Sequence, residues 1–413
     1  MFNLEEAKEL DANDPLAKFK NEFCLLPSED NKSNKLYFAG HSLGLMPKNT
    51  PDYIQTECES WKQYGVEGHF KGPNPWMPYH EILTEKMARV VGAKPNEVVV
   101  MNSLTVNLHL MMVSFYRPTK ERYKILIEPH AFPSDQYAVD SQAKLHGFDP
   151  KDAIIEFPEK DYIASENDIL ETIEQNKDSL ALVMLGNCNY LSGQKFDFKK
   201  ITEKAHQYGI LVGFNLAHGA GNLLLDLHKD NVDFAVWCSY KYLNAGPGGI
   251  AGCFVHEKHH HDKDIKRLEG WWGHDKSRRF LMERSFQPIA SVESWQLSNP
   301  PIFQMASLKA SLDIFDEAGM KNIREKGDKI TGYFENLIKH HCSDSVDIVT
   351  PESRGSMLCL KFKKDPKNLL EAFEHKQVLC DFREPDILRM TPAPLYTSYE
   401  DVFNLVEIIR EHS

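Results

Sequence analysis

Short apolar runs alternate with amphipathic stretches through the first two thirds of this chain. Residues 97–101, 124–128, 153–157, 180–185, 210–215, 233–238 and 250–255 are dominated by aliphatic and aromatic side chains and read as strands. Between them, 79–91, a stretch opening at 102–107, 133–147, 167–175 and 199–208 space their apolar positions three and four apart, as helices do. A further helix is expected over 50–64, after the break at Lys48-Asn49. Strands that are apolar on both faces and separated by helices predict a mostly parallel α/β sheet covered on both sides. Ligands of such sheets collect beyond the carboxyl ends of the strands. From 303 the pattern changes to long helices, at 304–318 and to about 340, then short strands and a terminal helix. The expected organisation is a large domain over 61–302, a smaller α+β domain over 303–413, and an N-terminal segment, 1–60, packed with the smaller one.

Charge and cysteine usage narrow the function. There are 60 acidic and 48 basic residues, a net charge of −12, which disfavours nucleic acid as a partner. No apolar run reaches the roughly 18 residues of a membrane span. The start, Met1-Phe2-Asn3-Leu4-Glu5-Glu6, is acidic and polar, unlike a secretory leader. The eight cysteines are scattered, with no CxxC pair. This favours reduced, buried thiols in a cytoplasm over a disulfide framework or a zinc site.

The candidate chemistry centres on one lysine. The apolar run 233–238 leads to Ser239-Tyr240-Lys241-Tyr242, then a glycine-rich turn, Gly246-Pro247-Gly248-Gly249, and a second apolar run. A buried ammonium is costly, and burial lowers a lysine's pKa and makes its amine nucleophilic, as Schiff-base chemistry requires. The alternative is a lysine at a strand end that reaches solvent. Upstream, the strand at 97–101 feeds the polar start of a helix at Leu104-Thr105, a natural anion site because free N–H groups and the helix dipole both favour a phosphate. Gly40-His41-Ser42-Leu43-Gly44 has small residues that allow close backbone approach to a ligand; an ordinary strand and turn fits as well. The loop at 67–76, with His69, is rich in Gly, Pro and aromatics, a composition common at sites. The histidine-rich stretch at 255–262 is expected to be a solvated loop rather than a metal centre.

Several segments together resemble the kynureninase family along nearly the whole chain. They are Gly40-His41-Ser42-Leu43-Gly44-Leu45, Gly68-His69, Leu104-Thr105-Val106-Asn107-Leu108-His109-Leu110, Phe132-Pro133-Ser134-Asp135, Ala217-His218-Gly219, Ser239-Tyr240-Lys241-Tyr242-Leu243-Asn244-Ala245-Gly246, Gly270-Trp271-Trp272-Gly273-His274 and Ser298-Asn299-Pro300-Pro301. The resemblance implies the fold of fold-type-I enzymes that use pyridoxal 5'-phosphate (PLP), with a mostly parallel seven-stranded sheet in the large domain. It implies hydrolysis of L-kynurenine or 3-hydroxykynurenine to an anthranilate and L-alanine, and a homodimer with active sites at the subunit interface.

Carried over by position, Lys241 would bond the cofactor aldehyde and move protons, and Tyr240 would contact the phosphate and act as an acid or base. Leu104 and Thr105 would bind the phosphate, Phe132 would stack on the ring, and Ser134, Asp135 and His218 would surround it. Trp271 and Asn299 would reach in from the second subunit; Ser42, His69 and Asn299 would contact the substrate ring; Arg389 would hold its carboxylate, a task that suits a guanidinium, with Arg383 the lesser candidate.

Two positions depart from the pattern. Asn215 stands where the family has an aspartate paired to the pyridine nitrogen, and position 186 is a glycine with no side chain to offer. A neutral amide hydrogen-bonds but supplies no charge, so the ring's electron-accepting power is expected to be weakened and Asn215→Asp to raise turnover. The competing readings are another PLP lyase, such as a cysteine desulfurase-like enzyme, and a PLP-binding protein with little turnover. The first would need a mobile catalytic cysteine, and no cysteine in this sequence is convincing in that role.

Overall fold

The computed structural model describes residues 3–384 and 386–412; Met1 and Phe2 of the polar start, Pro385, and Ser413 at the end of the expected smaller domain lie outside the described residues. In chain order the strands are β1 (Leu36–Tyr37), β2 (Val98–Val100), β3 (Lys124–Ile127), β4 (Ile154–Glu156), β5 (Leu180–Gly186), β6 (Leu211–Asn215), β7 (Phe234–Trp237) and β8 (Gly252–Val255), followed by β9 (Val346–Ile348), β10 (Leu358–Phe362), β11 (Val378–Leu379), β12 (Asp381–Arg383) and β13 (Ile387–Met390). Seven of them form one sheet in the order β2-β8-β7-β6-β5-β3-β4. The ladders from β7 across to β4 are parallel, and β8 runs antiparallel to both β7 and β2.

Both faces of this sheet are buried, and for that reason its strands are continuously apolar rather than alternating. Val183, Leu185, Val212, Phe214, Ala235, Trp237 and Phe254 point into one core. Their neighbours Leu182, Met184, Phe234, Val236, Cys253 and Val255 point into the other. Helices Tyr79–Val91 and Phe198–His206 pack on the first face, and helices Leu104–Phe115 and Pro133–Leu145 on the second.

A separate core gathers the four-stranded antiparallel sheet β12-β13-β10-β9, helices Met320–His341, Lys367–Lys376 and Tyr399–His412, and Ala7 from helix Leu4–Ala12. Helix Ile302–Ala318 instead sends Met305, Leu308, Leu312 and Phe315 into the larger core, as Leu16, Phe19, Phe23 and Leu45 do from the N-terminal segment. The segment around β1 is a strap between the two cores. β1 pairs in parallel with β11, the Phe38 N–H donates to Leu379 O (2.8 Å), and the Thr391 N–H donates to Phe38 O (2.8 Å). Six residues after Phe38 the same strap reaches the lysine loop: the Gly44 N–H donates to Tyr240 O (2.8 Å).

Candidate active site

The carboxyl ends of β3, β5 and β6 and the loop after β7 surround one cavity. Leu104, Thr105, Glu128, Phe132, Ser134, Asp135, Gly186, Cys188, Tyr190, Asn215, Ala217, His218, Tyr240 and Lys241 line it. Ten of these are positions singled out above from the sequence, including Gly186.

Lys241 sits in a turn held from both sides. The Ala245 N–H donates to Ser239 O (3.0 Å), and the Ser239 hydroxyl donates to Ile250 O, tying the turn to the lead-in of β8. From outside, the strap presses against it. A Cβ on Gly44 would fall 2.4 Å from Lys241 O and 2.1 Å from Asn244 Oδ1, so only glycine fits. The small residues of that motif therefore admit the lysine loop itself. Lys241 Nζ lies 3.2 Å from His218 Nε2 and 5.9 Å from the centre of the Phe132 ring. Burial lowers the lysine pKa, and burial together with the Lys241 charge pushes His218 well below its ordinary value. The imidazole is thus neutral, and its Nε2 accepts from the ammonium.

Two helices start at the cavity. Helix Leu104–Phe115 follows Ser103 and helix Pro133–Leu145 follows Phe132, and neither has a side-chain cap. Helices remote from the cavity, Glu166–Gln175 and Phe198–His206, are capped by Ser165 and Asp197. Uncapped N–H groups with the positive dipole end behind them make a cradle for an anion. The Thr105 and Ser134 hydroxyls meet across the two starts at 2.9 Å.

Three further polar groups line the cavity. Asn215 Nδ2 donates to Asp135 Oδ2 (2.7 Å), and Asn215 Oδ1 accepts from the Ala217 N–H (2.9 Å). Glu128 is buried, and burial with the nearby Asp135 pushes its pKa to about 8. Burial also raises Asp135, to about 6, against the lowering effects of Asn215 and Lys241. Glu128 Oε2 and Asp135 Oδ1 are buried without a partner. The sequence reading passed over Glu128, along with Cys188, Tyr190 and Ala217. Its one signal is a carboxyl group at the carboxyl end of an apolar strand.

Arg389, on β13, stands behind Tyr190: its Nη1 donates to Tyr190 O (2.7 Å) and its Nη2 pairs with Asp381. Burial alone would raise Asp381, but the nearby His41 ring, with Nε2 3.7 Å from Oδ2, and the Arg389 guanidinium hold it well below the usual carboxylate range. Arg389 Nε and His41 Nε2 are buried without a hydrogen bond. Arg383 is half exposed, and its Nη2 meets the same Asp381 oxygen, Oδ2, at 3.1 Å.

Besides Arg389, four predicted residues do not line the cavity. Ser42 is exposed in a turn closed by its own N–H to Ala39 O (2.8 Å). His69 Nδ1 lies 2.9 Å from Val66 O, with its ring edge-on to Trp76. Trp271 Nε1 donates to Arg279 O (2.9 Å), and Asn299 is exposed. The histidine-rich loop is also not the solvated segment expected: His256 and His260 are buried, and His259 Nε2 bonds Asp233 (2.8 Å). Asp233 comes from the segment before β7, and nothing local to the histidines announces it.

The family described as "Kynureninase C-terminal domain" matches residues 323–409. Over nearly full length, the chain is 55% identical to the kynureninase of Myxococcus xanthus, covering 98% of this chain and 96% of that one. It is 51% identical to the kynureninase of Koribacter versatilis (97% and 96%) and 45% identical to that of Nematostella vectensis (98% and 93%). Among solved structures, it is similar to the C-DES variant with glycine covalently linked to its PLP cofactor, at TM-score 0.78 and 15% identity over 95% of this chain and 99% of that one. The apo cysteine desulfurase of Thermococcus onnurineus matches at TM-score 0.75 and 17% identity (98% and 97%). At such identities the structural likeness is one of fold.

Proposed function

We propose that this chain, which belongs to the kynureninase family, hydrolyses L-kynurenine, or its 3-hydroxy form, to the corresponding anthranilate and L-alanine with pyridoxal 5'-phosphate. The observation that carries this reading is Lys241, its amine 3.2 Å from a neutral His218 in a cavity at the carboxyl ends of the sheet. The donor set suits the cofactor. Two uncapped helix starts with the Thr105 and Ser134 hydroxyls offer a phosphate cradle, Phe132 offers a flat face, and Asp135 Oδ1 is a buried acceptor in need of a donor. When bound, PLP supplies an aldehyde for the amine and a ring that takes up electrons from substrate carbon.

The residues then divide the work. Lys241 holds the cofactor and carries protons between the substrate α-carbon and the cofactor's C4' atom. The Leu104 N–H, Thr105, Ser134 and Tyr240 hold the phosphate; burial raises the Tyr240 pKa, so its hydroxyl is also available as a proton donor. Phe132 and His218 would bracket the ring, with Asp135 and Asn215 at its edge. Arg389 turns from Asp381 to grip the substrate carboxylate, and the unpartnered Nε marks its spare donor capacity.

Ser42, His69, Trp271 and Asn299 contact substrate or phosphate in an assembled homodimer, some of them across the interface. Exposed aromatic side chains support that assembly: Phe280 (52% exposed) lies 6.3 Å from Phe70 (64%) and 5.5 Å from Trp271, and Trp61 lies 6.2 Å from Phe303. The reaction belongs to tryptophan catabolism by the kynurenine pathway and to NAD biosynthesis. A cytoplasmic setting agrees with eight free cysteines, and among the described residues no helix is long and apolar enough to cross a membrane.

The desulfurase reading is disfavoured by Cys188, the cysteine in the cavity lining. Its thiol is buried, donates to Gly193 O (3.3 Å), and burial pushes its pKa to about 12, the opposite of a mobile nucleophile. Incubation with PLP and L-kynurenine is expected to give anthranilate fluorescence and one alanine per turnover. Sulfide from cysteine with no anthranilate would reverse the assignment, and cofactor binding without either product would leave a binding protein.

A further inference from the structure

Asn215 leaves the pyridine nitrogen without the carboxylate expected at that position, and the surrounding groups indicate where the charge has gone. The Asn215 amide can be oriented in only one way. The Ala217 N–H is a donor, so the atom it meets at 2.9 Å is the carbonyl oxygen, and the NH2 group faces Asp135 Oδ2 at 2.7 Å. Asp135 must accept that bond, which favours its anion. Lys241 favours it too, whereas Glu128, the other buried carboxyl lining the cavity, opposes a second negative charge. His218, against Lys241, is neutral and adds no charge, and Cys238 is held protonated mainly by burial. Burial and mutual repulsion disfavour a second charge on this pair of carboxyls, and the Asn215 donor favours Asp135 as the holder of the first. Asp135 then presents Oδ1 to the cavity as an ionised, buried oxygen without a partner. Such an atom is costly to leave bare and calls for a charged donor.

We propose that in this chain Asp135, not position 215, supplies the negative charge that keeps the cofactor's pyridine nitrogen protonated, with Asn215 as the positioning residue that holds Asp135 ionised and in place. The proposal rests on the PLP reading above. It removes the reason to expect a weakened ring, and it makes the swap of one amide and one acid between positions 135 and 215 nearly neutral in charge. It also changes the forecast for Asn215→Asp alone. Two carboxyl groups 2.7 Å apart would share a proton, so the site would keep one charge rather than gain a second.

The test is nitrogen-15 NMR of PLP labelled in the ring and bound to the protein, alongside equilibrium dialysis for affinity and borohydride reduction with mass mapping of Lys241. The unmodified protein should show a protonated nitrogen. D135N should show an unprotonated one and weaken PLP binding roughly ten- to a hundredfold, the worth of a charged hydrogen bond. The double variant D135N/N215D should restore the protonated signal, which a merely structural role for either residue would not achieve. N215D alone should keep it, with no tighter binding. An unprotonated nitrogen in the unmodified protein, a protonated one in D135N, or a folded, loaded double variant that stays unprotonated would each overturn the placement of charge. A protein that carries no pyridoxyl group on Lys241 would overturn the PLP reading, and this proposal with it.

Discussion

The two ends of the large sheet treat buried carboxylates in opposite ways. At the amino ends of the parallel strands, Asp233 accepts from the Val212 N–H (2.7 Å), His206 Nε2 (2.8 Å), His259 Nε2 (2.8 Å) and Lys258 Nζ (2.8 Å). Beside it, fully buried Glu97 meets the N–H groups of Lys94 and Glu257 and His228 Nδ1, each at 2.9 Å. At the carboxyl ends, Glu128 and Asp135 are left with buried oxygens that bond nothing. The difference separates structural from chemical use of the same side chains. A saturated carboxylate locks loops together, whereas an unsaturated one is held ready for a ligand. Glu97, His228 and His256 stand close enough to suggest a metal, but their facing atoms already serve hydrogen bonds: Glu97 accepts from His228 and Glu257, and His256 Nδ1 accepts from the Lys258 N–H (3.2 Å).

The largest test of this contrast is at the lysine. Lys241→Ala should lower turnover by at least the roughly 10²–10⁴-fold ascribed to a positioned proton carrier, and abolish the borohydride-fixed pyridoxyl mass, while the melting transition without cofactor stays cooperative. At the saturated end the loss falls on stability instead. Asp233→Asn should cost about 3–5 kcal/mol in denaturant unfolding, because it leaves three basic side chains around a neutral group. The kcat of the folded remainder should be untouched; a fall in kcat would mean that the two ends are not independent.

Next comes the sign of the pH dependence without cofactor. Bonds from His206 and His259 and the Lys258 charge overcome burial and hold Asp233 far below its unfolded value, so its stabilisation is present above about pH 4 and fades only as pH falls below that. Glu128 and Asp135 are raised, to about 8 and about 6, so their contributions are full below about pH 4 and are lost as pH rises through those values. Unfolding free energy is therefore expected to decline from about pH 5 to pH 8, on the order of 2–4 kcal/mol, and Glu128→Gln should flatten most of that slope. A slope unchanged in Glu128→Gln would show that the carboxyl is not buried as described. The smallest effects concern glycines. Gly44→Ala drives a methyl against the Lys241 carbonyl and should cost about 1–3 kcal/mol and displace the lysine. Gly186→Ala meets only the tip of Glu128, at 2.8 Å, and should cost less than about 1 kcal/mol in the same unfolding assay.

Much of this architecture was legible in the chain. The strands at 180–185 and 210–215 stand out because both of their faces are buried, and the helix starts at Leu104 and Pro133 because polar, capless openings follow apolar runs. The edge position of β2, beside β8, was not legible, since it depends on a pairing between residues about 150 apart. The same holds for chemistry. Lys241, Tyr240 and the phosphate-side positions share a cavity because short motifs carry them. Glu128 escaped notice because a strand-end carboxyl looks solvated until Asp135 and Gly186 close around it. The histidines at 256 and 259 looked solvated for the same reason, their partners, the His228 carbonyl and the Asp233 carboxylate, being supplied by other segments.

The strap through β1 has a mechanical consequence. Phe38 is clamped by Leu379 and Thr391 of the smaller core, and six residues later Gly44 grips the carbonyl of Tyr240, next to the reactive amine. A rotation of that core, which also bears Arg389, would reach the Lys241 turn through the hydrogen-bonded turn at 39–43. Lengthening the strap by one residue should therefore loosen the Lys241 turn from the strand that carries Arg389.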